Sequence, residues 1–385
     1  MNRRHTPGSE HTPHSNGSRW KQILRGQAVL IIATIAALCS LVVVPPDSGY
    51  RDYVDWHTLG VLFALLLILA AGKEIGIFAL VGRALIRIST SRRGLVFSLV
   101  FLCFFSSMLL TNDVALITFV PLALFTLHAQ GDDRAIPGVV VLQTIAANTG
   151  AMLTPLGSPQ NLYLSHAAPF SFLDIGRMTL PYVLAAGVCL ALAIVATTRG
   201  GEPVVPLQRP TKRVHPRRAA AYGVLFVLAV GTVAGVIPLW FVLGSSICVV
   251  LYDNPYYLTK VDYSLLATFL VLFVFVGNMG RVPAIHDVIT SMADRSVRMA
   301  ALGASQIISN VPATLLLSGF THDYEDLLIG VNIGGLGTLI ASMASLISYR
   351  FIAANLSAQS KRFIGIFTMW NLAFLAVFLL LSAVL

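Results

Sequence analysis

The chain has 385 residues, 56% of them hydrophobic and only 11% charged, with a mean hydropathy of +0.79. A soluble domain is about a quarter charged, so this composition excludes a soluble globular protein. The net charge of +9 does not signal nucleic acid, because the basic residues fall in short loops between apolar runs, where they orient a chain in a bilayer.

Residues 1–24 are polar and rich in Ser, Gly, Pro and His, which predicts a disordered tail. Its histidines are too irregular for a metal site. Arg3, Arg4, Arg19, Lys21 and Arg25 precede the first apolar run, near 26–44, and place the N-terminus in the cytoplasm. That run has no small-residue cleavage site and reads as a retained span. The segment "PPDSGYRDYVDW" is then outside, and a second run near 57–72 returns. Residues 73–93 carry Lys73, Arg83, Arg87, Arg92 and Arg93 and stay at the cytoplasmic surface.

Two apolar runs next flank "TND" at 111–113. They are either two full crossings or a re-entrant hairpin with "TND" at its tip, and parity allows both. An interrupted span near 137–165 and another near 178–198 complete the first half. A basic linker at 199–218 is predicted to be cytoplasmic. The second half has runs near 219–239, 240–252, 263–280 and 300–320, an interrupted span near 325–348, and a last run near 363–385. Continuous runs of about 17–23 apolar residues cross the hydrocarbon as helices, not as barrel strands. The predicted fold class is an all-α polytopic membrane protein: tail 1–24, first transmembrane repeat 25–198, linker 199–218, second repeat 219–385. Arg281, Arg295 and Arg298 fall outside in this scheme, against the usual bias. The four cysteines (Cys39, Cys103, Cys189, Cys248) have no CxxC spacing and read as small buried hydrophobes.

The chain resembles itself. "TNDVALITF" (111–119) aligns with "SNVPATLLL" (309–317), "NTGAMLTPLGSPQNL" (148–162) with "NIGGLGTLIASMASL" (332–346), and "VDWHTLGVLFALL" (54–66) with "VDYSLLATFLVLF" (261–273). The blocks recur in one order, and the loop charges give the two copies opposite orientations. That predicts an inverted repeat, and the Gly- and Pro-interrupted blocks mark the binding site. Broken backbone at membrane depth lines a cavity or is buried in protein. For any single glycine here, helix packing is an equal alternative.

Asp113 is a carboxylate in an apolar stretch. It reads either as a helix cap or as a cation or proton site, and one group can do both. Val311 stands at its place in the second half, so the charge is one-sided. Thr111, Asn112, Ser309, Asn310 and Thr314 offer hydroxyls and amides, and half-helix N-termini favour an anion. No Arg or Lys lies in these blocks. Lys73 and His166 sit at segment ends and read as interfacial.

On these residues the chain resembles the ion transporter superfamily: divalent anion/sodium symporters, citrate transporters, arsenite permeases and a class of sodium/proton antiporters. The resemblance covers roughly residues 50–350 and is strongest to bacterial inner-membrane anion transporters. It rests on the tips Thr111-Asn112 and Ser309-Asn310, on "TPLGSPQN" (154–161) and on "GVNIGGLGTLIASMASLI" (330–347). It implies two re-entrant hairpins, two broken helices, a homodimer and an elevator-like motion. It places Thr111, Asn112, Ser309 and Asn310 near ion and substrate, and Asn148, Thr149, Gly150, Thr154, Asn332, Gly334 and Thr338 along the breaks. The dicarboxylate symporters carry a hydroxyl residue where Asp113 and Val311 stand, which argues against a two-sodium dicarboxylate mechanism.

The expected function is secondary transport of a small anion, carboxylate or oxyanion, across the inner membrane. Asp113, Asn112 and Asn310 serve proton or sodium coupling, and no cofactor is expected beyond a possible sodium ion. The alternative is a sodium/proton antiporter using Asp113. An enzyme is disfavoured by the absence of HExxH, GxSxG and a paired intramembrane Asp/His set. A channel fits repeated broken helices less well than alternating access does.

Overall fold

A computed structural model describes residues 28–385 except 79, 81–88, 169, 199, 201–213, 284–286, 288 and 292–294. The predicted tail and most of the 199–218 linker lie outside the described residues. Every described element is helical. The first half holds α1 (Ala28–Val43), α2 (Trp56–Ile75), α3 (Arg92–Ser106), α4 (Asn112–Ala129), α5 (Ile136–Gly150), α6 (Pro159–Ala167) and α7 (Phe172–Thr197). The second holds α8 (Pro216–Val233), α9 (Leu239–Asp253), α10 (Tyr263–Gly280), α11 (Val297–Ile308), α12 (Asn310–Ser318), α13 (Tyr324–Gly334), α14 (Met343–Asn355) and α15 (Ser360–Val384). Six described helical stretches are long and apolar enough to cross a membrane, and three shorter apolar helices accompany them. The chain is a polytopic membrane protein.

Two bodies pack together. α1, α2, α8, α9 and α10 share one apolar core and form a panel. α3, α4, α5, α7, α14 and α15 share another, which α13 joins through Ile329 and Ile333. α6 and α12 touch the panel core through Leu162, Val311 and Leu315.

The run predicted near 300–320 is not one span. It is α11 and α12, 12 and 9 residues long, or about 18 and 14 Å, each too short to cross about 30 Å of hydrocarbon. The break is Ser309, whose φ of +76° makes it the one non-glycine described residue in the left-handed region. The tip residue Asn310 donates its N–H to Ala341 O at 2.9 Å, so this hairpin ends in the middle of the 325–348 segment. The other hairpin, α3–α4, ends at the break between α5 and α6, and α6 continues beyond it for 9 residues. Both tips therefore stop inside the protein.

The two hairpins enter from opposite ends. At the base of α3, Arg93 donates to Thr198 O after α7, and Arg92 pairs with Asp132 before α5. At the base of α11, Arg298 donates to Ser382 O in α15 and pairs with Asp326 in α13. Ile175, at the start of α7, packs with Val297 and Ala301, at the start of α11. α7 thus joins the two bases, and its 26 residues span about 39 Å, more than the hydrocarbon thickness. α15 joins them in the other sense, because Gln359, just before it, donates to Asp133 O.

Local chemistry sets the helix ends. Pro216 at the first turn starts α8 inside the predicted linker, where its fixed φ suits N1. Gly235, at φ +73°, then turns the chain four residues before α9. Asp55 and Asp262, paired by the repeat, cap α2 and α10 by accepting from Thr58 N and Leu265 N. Of the cysteines only Cys103 is buried. Cys39 and Cys248 are exposed on outward faces that the sequence pattern does not separate from the core. Arg281 is not a bare outer charge: it pairs with Asp47 beyond the end of α1 and holds that carboxyl below its ordinary value of 3.8. Arg298 is likewise paired.

Candidate functional site

Each hairpin tip has the same local construction. The side-chain oxygen of the tip asparagine folds back onto the next backbone N–H: Asn112 Oδ1 accepts from Asp113 N and Asn310 Oδ1 from Val311 N, both at 3.0 Å. Thr111 completes the first tip by accepting from Val114 N. The cap is thus Thr111 with Asn112, and Asp113 does not serve as one. The first-turn N–H groups of Val311 and Ala313 are also taken, by Asn310 Oδ1 and Ser309 O, and Pro312 has none. What each tip presents is therefore a side-chain amide rather than a row of free backbone donors.

These amides meet the breaks. Asn112 Nδ2 donates to Asn148 Oδ1 at 3.0 Å, near the end of α5. The same oxygen accepts from Ser342 Oγ at 3.1 Å, and Asn148 Nδ2 donates to Gly335 O at 3.4 Å. Asn332, near the end of α13, donates to Asn161 Oδ1 in α6 at 2.8 Å. Each repeat's first half-helix therefore reaches the second half-helix of the other repeat. Asn112, Asn148, Asn161, Ser309, Asn310, Asn332 and Ser342 are all buried. Among the described residues no Arg, Lys, Asp, Glu or His is buried by the same measure. The polar interior is neutral, and at its centre the amides of Asn112 and Asn148 and of Asn332 and Asn161 pair with one another.

Asp113 is the exception at its edge. It is half-buried, and its Oδ1 is enclosed with no hydrogen-bond partner among the described residues. An enclosed carboxylate oxygen without a donor is a place for a proton or a cation.

The remaining residues predicted for the site hold the breaks in shape. Gly150 lets α5 touch α3: a Cβ there would stand 2.1 Å from Phe104 O and 2.6 Å from Ser107 Oγ. Gly334 does the same for α13 and α11, with Ser305 Cβ at 2.7 Å. Thr154 donates to Met108 O, and Thr338 donates to Gln306 O at 3.1 Å, so each break is tied to the end of its own hairpin. Thr149 and Thr314 donate back to Ile145 O and Asn310 O of their own helices.

Three residues beyond the predicted set complete the network. Gln306 donates to Gly334 O and Leu336 O and accepts from Thr338 N, bracing the second break. Asn161 donates to Ala151, Met152 and Thr154 carbonyls, each at 3.3 Å, bracing the first. Ser342 caps α14 and joins Asn148. The repeat alignment pairs Ser342 with Ser158, and that was the available signal. Two cavities, about 460 and 240 Å³, lie elsewhere, beside Asp55 and His166 where α2 begins and α6 ends. The asparagines of the tips and breaks are buried against one another in this conformation.

Residues 19–322 match the family model described as a citrate transporter. The chain belongs to the citrate transporter family. It is 30% identical over 342 residues to an uncharacterised transporter of Methanocaldococcus jannaschii, covering 87% of this chain and 92% of that one. It is 29% identical over 300 residues to the inner membrane protein YbiR of Escherichia coli, covering 77% and 80%. A shorter stretch of 143 residues is 32% identical to the silicon efflux transporter LSI3 of Oryza sativa subsp. japonica, covering 37% and 29%. Family and helices together make this chain a multi-pass membrane transporter.

Proposed function

We propose that the chain is a secondary active transporter that moves a small anion, a carboxylate or an oxyanion, across a bacterial inner membrane by alternating access. The observation that carries this reading is the neutral asparagine network where two hairpins from opposite ends meet two broken helices. Amide N–H groups of Asn112, Asn148 and Asn310 and the hydroxyls of Ser309 and Ser342 can turn from one another to an anion. Amides and hydroxyls desolvate at less cost than a buried arginine, so the site can release as well as bind. Asp113, beside Asn112 with an unpartnered oxygen, is the group to couple movement to a proton or a sodium ion. In this reading Thr149, Gly150, Thr154, Thr314, Gly334 and Thr338 keep the breaks in register. The N-terminus is cytoplasmic, the pairing of Arg281 and Arg298 relieving the charge bias against that orientation. The working form is a homodimer in the bilayer, as the resemblance implies.

The test is flux into proteoliposomes of the full chain under imposed proton or sodium gradients, with citrate, succinate, phosphate, arsenite and silicic acid as candidates. Anion uptake driven by a gradient is expected. Asn148→Ala should abolish it, and Asp113→Asn should uncouple it from the gradient. The orphan oxygen of Asp113 also favours a second reading, sodium/proton exchange. That reading takes over if sodium moves against protons without any anion and Asp113→Asn stops it. No gradient-driven movement of any of these solutes would sink both.

A further inference from the structure

Two cavities lie at one end of the molecule, and a polar bridge separates them. Asp55, the cap of α2, lines the smaller cavity with Tyr163 and Ser318. His166, in the last turn of α6, lines the larger with His57, Thr58 and Ser165. Their side chains meet across the divide: His166 Nδ1 lies 2.9 Å from Asp55 Oδ2, an oxygen that also accepts from Thr58 Oγ1. The ring of His57 stacks on His166 with centroids 4.2 Å apart, and its own Nδ1 is enclosed without a partner among the described residues. α2 belongs to the panel, and α6 carries Asn161 of the asparagine network. The bridge therefore ties the panel to the broken-helix unit at the mouth of the cleft between them.

We propose that Asp55 and His166 form a proton-operated latch that holds the broken-helix unit against the panel at this mouth. The inference rests on the alternating-access reading, in which the two bodies separate. An imidazole changes charge between about pH 5 and 8, so the strength of this tie follows proton concentration. With His166 protonated, the bridge is a charge-assisted hydrogen bond between a cation and a carboxylate. Without the proton it is a neutral donor on a half-exposed side chain. Two imidazolium rings at stacking distance repel each other. At this end α2 and its cap supply His57 and Asp55, the turn before it brings Asp52 and Tyr53 to the smaller cavity, and α6 itself adds Tyr163. Asp174 of α7 is held by Ser171, with Arg177 one turn on. The first turn of α13 brings Tyr324, Glu325 and Asp326 after its cap Asp323, and Asp326 is paired with Arg298 of α11. α12 and the near end of α8 carry no titratable residue.

The test needs no substrate. Val61 is 2% exposed and lines the larger cavity from α2, so Val61→Cys reports its opening. The full chain, with its four cysteines replaced by serine, is purified in detergent and labelled with a maleimide from about pH 5.5 to 8. Each rate is divided by that of a chain keeping only the exposed Cys248, which corrects for thiol ionisation. The corrected rate should rise about fivefold with pH, the scale of one partly exposed ion pair. Asp55→Asn keeps a helix cap but loses the charge, so its rate should be high and flat across the range. His166→Gln should be flat as well. A flat parent, or an Asp55→Asn profile that still climbs like the parent, overturns the latch. Flux measured on the same proteins scores the transporter reading separately: a failed latch leaves flux standing, and a chain without flux can still show the pH-dependent opening.

Discussion

Glycine at 150 and 334 is decided by contact rather than by turn geometry. Both lie within helices, where glycine costs up to about 1 kcal/mol against alanine, so something offsets that cost. The offset is the approach of α5 to α3 and of α13 to α11, where a Cβ would enter the space of Phe104 O or Ser305. Gly150→Ala should lower stability by about 1–3 kcal/mol through overpacking, and Gly334→Ala by less, because its nearest neighbours, Ser305 Cβ and Oγ, stand at 2.7 Å rather than 2.1 Å. Gly138 in the same helix has nothing within 4 Å of a built Cβ, so Gly138→Ala should be neutral or slightly stabilising. Melting of the three purified variants decides the matter. An equal loss at Gly138 would show that helix backbone freedom, not contact, sets the need for glycine.

Among the elements, the recurring device is an arginine at the foot of each hairpin. Arg92 and Arg93 tie α3 to the start of α5 and the end of α7, and Arg298 ties α11 to α13 and α15. Arg298 reaches Asp326 through two of its nitrogens, at 3.0 and 2.6 Å, with both side chains partly buried. A forked, half-buried pair is worth more than a surface pair. A double-mutant cycle of Arg298→Ala and Asp326→Ala should give a coupling of about 1–3 kcal/mol in thermal unfolding. The same cycle on Arg218 and Asp253, where Arg218 is 52% exposed, should give less than about 1 kcal/mol. Equal couplings would remove the special role of the hairpin foot.

Across the whole molecule, the contacts at the ends of α7 and α15 put the hairpin feet on opposite sides. Gly131 and His322 are exposed beside these two feet. In intact cells an impermeant thiol reagent should label His322→Cys and spare Gly131→Cys, each made in a chain without other cysteines. Labelling of both would refute opposite entry. The reverse pattern would keep the inversion and turn the chain over in the membrane.

The sequence by itself determined the class. Low charge and long apolar runs leave helices across a bilayer as the arrangement that pairs every backbone group. It also carries the repeat, because Thr111-Asn112, Ser309-Asn310, Asn148 and Asn332 recur in order with few other polar residues around them. Its pattern could not tell a hairpin from two crossings. Hydropathy measures transfer into an apolar medium and does not distinguish lipid from protein, so α11 and α12 read as one span until Ser309 and its turn were placed. For the same reason Cys39 and Cys248 read like Cys103. Only the tertiary structure showed that Asn161, Gln306 and Ser342 complete the network. It also sorted the glycines and threonines of the breaks from the amides that face one another, and brought Asp55 to His166 across 111 residues of chain. Those pairings depend on which helices cross, and crossing is settled by the packing of two bodies that no local window contains.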